Sequence, residues 1–134
     1  MLLVDSSVWI DHFNGFESPE ARRLAEALAD QEGERIMVPG IILAEILCGL
    51  RTESEASHIA TLFAGFDRAP ELDPADYIAS ATIFRTCRNK GETIRSLIDC
   101  LIAQICLRHG CRLLSRDRDF IKIARYFPLM LEAA

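Results

Sequence analysis

The chain has 134 residues, of which 50% are hydrophobic and 26% charged, a balance that suits one globular domain over residues 1–134 and argues against a disordered tail or two independent domains. Its 15 Lys and Arg against 20 Asp and Glu leave a net charge of −5, which argues against a uniformly basic nucleic-acid binder. The charge is uneven: residues 1–76 hold 5 basic and 15 acidic side chains, residues 77–134 hold 10 basic and 5 acidic ones, and the second part can still attract phosphate.

Met1 to Val4 is a short apolar run stopped by Asp5-Ser6-Ser7, the pattern of a buried strand that delivers polar residues at its carboxyl end. A short helix through Val8 to Phe13 follows. Ser18-Pro19 supplies an N-cap and a first-turn proline to an amphipathic helix with Ala21, Leu24, Ala25 and Leu28 on one face. Arg35 to Val38 is the second candidate strand, and Pro39-Gly40 turns it into the apolar helix IILAEILCGL, whose sole charge is Glu45. A fourth helix is expected from Glu53 to Phe66, packing through Ile59, Leu62, Phe63 and Phe66. Asp73-Pro74 opens a fifth that places Tyr77, Ala81 and Phe84 on one face and stops near Gly91. Ser96 caps a sixth, LIDCLIAQICLRHG, with His109-Gly110 as its stop signal. Arg112 to Leu114 is the third strand, a short helix spans 120–125, and Pro128 to Leu131 is a last edge strand.

Strands separated by long helical connections predict an α/β sandwich with a mainly parallel sheet, in which ligands sit beyond the carboxyl ends of the strands. Asp5 and the Asp117 loop both occupy such ends. The five cysteines, Cys48, Cys87, Cys100, Cys106 and Cys111, form no CxxC pair, and no His stands at zinc-finger spacing, so reduced thiols and a cytoplasmic location are expected. The N-terminus lacks a basic leader region and no uncharged apolar stretch approaches about 18 residues, so neither secretion nor a membrane span is expected.

Four acids stand in or beside apolar elements: Asp5 after LLV, Glu45 within IILAEILC, Asp99 within SLIDCLIAQ, and Asp117 after RLL. Buried carboxylates need a partner or a cation. If they converge, two carboxylates about 4 Å apart repel by about 4 kcal/mol at an effective dielectric of about 20, which demands protonation or a metal. An all-oxygen donor set suits Mg²⁺ or Mn²⁺ rather than zinc. Each acid also has a local reading: Asp5, Ser6 or Ser7 as a helix cap, Ser96 and Asp99 as a capping box, Glu45 as a solvated helix-edge charge, Asp117 and Asp119 as turn residues.

The ordered set shifts the balance between these readings. VDSSVWID, AEIL around Glu45, LIDCLIA around Asp99 and LLSRDRDF resemble, in order and over nearly the whole chain, the PIN-domain ribonucleases, specifically the VapC-type toxins of type II toxin-antitoxin pairs. The resemblance implies a PIN-like three-layer α/β/α sandwich and a Mg²⁺-dependent endoribonuclease acting through Asp5, Glu45, Asp99 and Asp117, with Ser7 ordering the site. Asp5 and Asp99 would bind the metal most directly, Glu45 and Asp117 would act through waters or a second metal, and Asp119 is a second candidate beside Asp117. It also implies a cognate antitoxin as partner, RNA as substrate, and a homodimer or toxin-antitoxin hetero-oligomer.

An acidic pocket repels RNA, and the basic residues before the sixth helix (Arg85, Arg88, Lys90, Arg95) and around the last motif (Arg116, Arg118, Lys122, Arg125) are the phosphate guides the sequence offers, Arg85, Arg116 and Arg118 foremost. Two other readings compete: a non-catalytic PIN-like RNA-binding domain, and a receiver-like phosphate-accepting signalling domain. The latter requires a Lys directly after a late strand, and neither Lys90 nor Lys122 has that position.

Overall fold

A computed structural model describes residues 1–30 and 32–134. Chain order gives β1 (Leu2–Val4), α1 (Ser6–Phe13), α2 (Pro19–Ala29), β2 (Ile36–Met37), α3 (Gly40–Cys48), α4 (Glu53–Phe63), α5 (Pro74–Asn89), α6 (Leu97–His109), β3 (Arg112–Leu114), α7 (Asp119–Ala124) and β4 (Met130–Leu131). The strands form one parallel sheet in the order β2-β1-β3-β4. β1 lies inside it, and Leu2, Leu3 and Val4 are all fully buried, as expected where helices cover both faces of a parallel strand. The helices pack in two groups, α1 with α2 and α3 and α3 with α4, then α5, α6 and α7 with one another, which completes the expected α/β/α sandwich.

Two features of the core aim the functional end of the molecule. Leu3 pairs with Leu113 and Val4 with Leu114, so the chain leaves β1 at Asp5 beside the residue that leaves β3 at Ser115. The first turn of α1 is anchored by Trp9, whose ring meets Phe63 edge-on at 4.7 Å and stacks on Phe13 at 5.9 Å. At the far end of α6, Gly110 adopts the left-handed conformation (φ +65°) that stops a helix, and the chain turns directly into β3.

The predicted elements occur in the predicted order, with local differences, among them α1 starting at Ser6 rather than Val8. β2 and β4 are two residues each, shorter than the apolar runs that announced them. α4 ends at Phe63, and Leu62 is exposed rather than packed. α5 is rotated by one residue: it buries Asp76, Ser80, Ile83 and Cys87, while Tyr77 is 55% exposed. Polar chemistry causes that rotation. Asp76 closes a capping box with Asp73, accepts from Gln104 Nε2 at 3.2 Å and pairs with Arg108, all toward α6, so the buried face follows an acid that hydrophobic periodicity counts as solvent-facing.

Candidate active site

Asp5 sits at the point where β1 becomes α1, and its backbone N–H donates to the Leu114 carbonyl at 2.9 Å. Its backbone occupies the N-cap position of α1, yet its side chain makes no capping bond, so the helix-cap reading of this residue does not use the carboxylate. Oδ2 instead accepts from Ser7 Oγ at 2.8 Å and from Ser115 Oγ at 2.9 Å. The two serines extend the network: Ser7 Oγ accepts from Arg116 N at 3.4 Å, and Ser115 Oγ from Asp117 N at 3.0 Å. The loop after β3 is thereby tied to the end of β1. Asp5 is 5% exposed.

Glu45 projects from α3 and accepts from Ser6 Oγ at 3.3 Å through Oε1. Burial, then the charge of Asp5, raises its pKa above the usual carboxylate range despite that bond. Asp99 lies in the first turn of α6, 9% exposed. Ser96 caps this helix by accepting from Ile98 N at 3.2 Å, so the cap does not depend on the Asp99 side chain. Burial and then the charges of Asp117 and Asp5 push the Asp99 carboxyl up to about 7.

Asp117 and Asp119 separate in role. Asp119 is 2% exposed, and its Oδ2 accepts from Arg95 N at 3.0 Å and Arg95 Nε at 3.2 Å, while Lys122 Nζ pairs with Oδ1 at 3.0 Å. Burial alone would raise its pKa, but the bonds from Arg95 and Lys122 hold it below the ordinary value. Asp117 is half-buried, accepting from Arg95 Nη2 at 2.9 Å and from Asp119 N at 2.9 Å. Carboxyl oxygens of Asp99, Asp117 and Asp119 lie within 4.8 Å of one another, with Asp5 contributing charge to Asp99.

The residues fit a hard divalent cation on their own chemistry. Every donor is a carboxylate or hydroxyl oxygen, and the buried acid Asp99 is raised by neighbouring acids with no basic residue among the causes, an excess of negative charge that a cation would relieve. Two residues of this network escaped the sequence reading in their actual roles. Ser115 follows β3 directly, and the parallel register of β1 with β3 was the signal that places it beside Asp5. Arg95, read as a phosphate guide, clamps Asp117 and Asp119 instead. Lys122 and Arg125 are likewise engaged, with Asp119 and Glu92. Of the three foremost guides, Arg116 adjoins the acids and pairs through Nε with Asp11 at 2.8 Å, Arg118 is exposed at the start of α7, and Arg85 bonds Thr82 on its own helix at 3.3 Å.

Comparison with known proteins agrees with this architecture. The family model described as the PIN domain matches residues 2–126. The chain is 38% identical over 125 residues to Ribonuclease VapC11 of Mycobacterium tuberculosis, covering 93% of this chain and 92% of that protein, and equally to VapC ribonuclease Mb1587 of Mycobacterium bovis. Among solved structures, VapBC2 from Rickettsia felis, bound to a DNA fragment from its promoter, superposes with a TM-score of 0.73 at 16% identity, covering 98% of this chain and 96% of that one. VapBC-1 from nontypeable Haemophilus influenzae gives 0.71 at 16% identity with the same coverage. The chain therefore belongs to the PIN-domain family, where its similarities lie with VapC proteins.

Proposed function

We propose that the chain, as a single PIN domain over 1–134, is a metal-dependent endoribonuclease and the toxic component of a type II toxin-antitoxin pair, hydrolysing RNA phosphodiester bonds at Asp5, Glu45, Asp99 and Asp117. The observation that carries this reading is the gathering of Asp99, Asp117 and Asp119 beyond the carboxyl ends of β1 and β3, with burial and then the charges of Asp117 and Asp5 raising Asp99, and Asp5 acting in the same way on Glu45. Mycobacterial relatives named as ribonucleases at 38% identity support RNA as the substrate.

Asp5 and Asp99, assisted by Asp117, would hold Mg²⁺ or Mn²⁺, which when bound activates water for in-line attack and neutralises charge on the phosphoryl group. The protein's own groups prepare that event. Ser7 and Ser115 fix the Asp5 carboxylate by donating to the same oxygen, Oδ2. Arg95 orients Asp117 and, together with Lys122, satisfies Asp119, which supports Asp117 as the fourth acid of the site with Asp119 behind it. Glu45 has Oε1 engaged by Ser6, and its raised pKa suits Oε2 to take a proton from the attacking water.

A toxin-antitoxin complex from Klebsiella pneumoniae is among the solved neighbours, which supports a cognate antitoxin as partner here. A groove of about 730 Å³, lined by Ile41, Ala44, Leu72, Tyr77, Leu101 and Ile105 among others, offers apolar surface for a partner helix on α3, α5 and α6, the helices that carry Glu45 and Asp99 included. No helix among the described residues is long and apolar enough to cross a membrane; RNA as substrate places the proposed action in the cytoplasm. Purified protein added to total bacterial RNA should generate discrete fragments in Mg²⁺ or Mn²⁺ and none in EDTA. RNA left intact under every condition would overturn the assignment.

A further inference from the structure

The junction of α1 and α2 presents an aromatic ring that the core does not use. Gly15, at φ +69°, ends α1 in a left-handed turn: Gly15 N donates to the His12 carbonyl at 3.3 Å and Phe16 N to the Asp11 carbonyl at 2.9 Å. In this type of helix stop the residue after the glycine ordinarily packs back on the helix as a hydrophobic contact. Here Phe16 stays 59% exposed, so most of the ring is left uncovered.

Asp11 has another task. It is buried, and its Oδ2 accepts from Ser18 Oγ at 3.0 Å and pairs with Arg116 Nε at 2.8 Å, which sets the Arg116 guanidinium 5.9 Å from the centre of the Phe16 ring. Arg116 is the residue before Asp117, and its backbone N–H reaches Ser7, which in turn bonds Asp5. The guanidinium is therefore held by a buried carboxylate against the ring, on a residue whose backbone is tied to the acid site through Ser7. Beside the ring is a hollow of about 220 Å³ lined by His12, Gly15, Phe16, Glu17, Ala21 and Arg22 among others, room for one planar base.

We infer that Phe16 and Arg116 form a nucleotide subsite, in which an unpaired RNA base stacks on the Phe16 ring and the adjoining phosphate pairs with the Nη edge of Arg116. This rests on the proposed nuclease reading and adds a discrimination to it: bases of single-stranded RNA are free to stack on an aromatic side chain, and those of a duplex are not. Pre-ordering by Asp11 spares Arg116 part of the entropy that a free side chain loses when it captures a phosphate.

Fluorescence anisotropy with the full chain in EDTA at low salt tests it, using a fluorescein-labelled single-stranded dodecaribonucleotide pool and an RNA duplex of the same length. Phe16→Ala should weaken single-strand binding by about tenfold and leave duplex binding and the melting temperature unchanged, Phe16→Tyr should restore affinity, and Arg116→Ala should weaken both RNAs. Unchanged single-strand affinity in Phe16→Ala, or an equal loss for duplex, would overturn the subsite. Cleavage by the unaltered chain in Mg²⁺, measured in parallel, separates that failure from failure of the nuclease reading.

Discussion

Ser115 donates its hydroxyl to Asp5 Oδ2 at 2.9 Å, joining two residues 110 positions apart at the carboxyl ends of the neighbouring strands β1 and β3. The same oxygen of Ser115 accepts from Asp117 N, so one side chain sets both an acid of the first motif and the backbone of the last. Ser115→Ala is expected to cost about 2 kcal/mol of stability, the scale of a hydrogen bond to a charged group, and to lower the RNA cleavage rate, while Ser115→Thr recovers most of both. Thermal melts and cleavage rates on the two variants check this; equal damage from Thr and Ala would remove the hydroxyl from the account.

Asp117 and Asp119 are distinguishable by substitution. Asp119→Asn removes the charge that Arg95 and Lys122 share and is expected to destabilise the fold by about 1–2 kcal/mol while leaving measurable cleavage. Asp117→Asn should abolish cleavage at little cost in stability, because its partner Arg95 is largely exposed. Denaturant unfolding combined with cleavage assays checks the pair, and the reverse pattern would make Asp119 the fourth acid.

The raised pKa of Asp99 sets a pH dependence. Its carboxyl titrates near 7 in the folded protein, whereas in the unfolded chain it ionises near the ordinary value of 3.8. Across the interval between those values the folded state holds more protons, so stability falls as pH rises. Glu45, also raised, acts in the same direction, and the lowered acids Asp76 and Asp119 change stability only at more acidic pH. In EDTA the melting temperature is expected to decline from about pH 5 to about pH 7.5, with the slope reduced in Asp99→Asn and the loss offset by Mg²⁺ at the upper end. A melting temperature that rises over this range in EDTA would contradict the electrostatics of the site.

Asp76 gives a contrasting case of a buried acid with no part in the proposed chemistry. It closes the α5 capping box and binds Gln104 and Arg108 of α6. Asp76→Ala is expected to cost about 3 kcal/mol, from the lost cap together with the lost charged hydrogen bonds, while leaving the rate per folded molecule unchanged. Unfolding curves and active-fraction-corrected rates check it.

How much of this was legible in the sequence follows from which forces are local. β1, β3 and the start and end of α6 could be read because an apolar run, the Ser96 cap and the Gly110 stop are properties of neighbouring residues. The face of α5 could not, since it is set by Asp76 meeting Arg108 from another helix. The four acids drew notice by standing among apolar residues, but the choice between Asp117 and Asp119 depends on Arg95, which precedes them by more than 20 positions. Ser115 and the Asp11-Arg116 pair are visible only once the parallel register of β1 and β3 is known.

The acids gathered beyond the carboxyl ends of β1 and β3 are proposed to cleave RNA with a divalent cation. Cleavage rate against Mg²⁺ concentration, measured for the unaltered chain and for Asp99→Asn after melts have shown both to be folded, tests it most directly. Saturable Mg²⁺ dependence is expected in the first and a loss of at least about 100-fold in the second, the scale of removing a key electrostatic group from an active site. Equal rates for the two proteins, or undiminished cutting in EDTA, would contradict it.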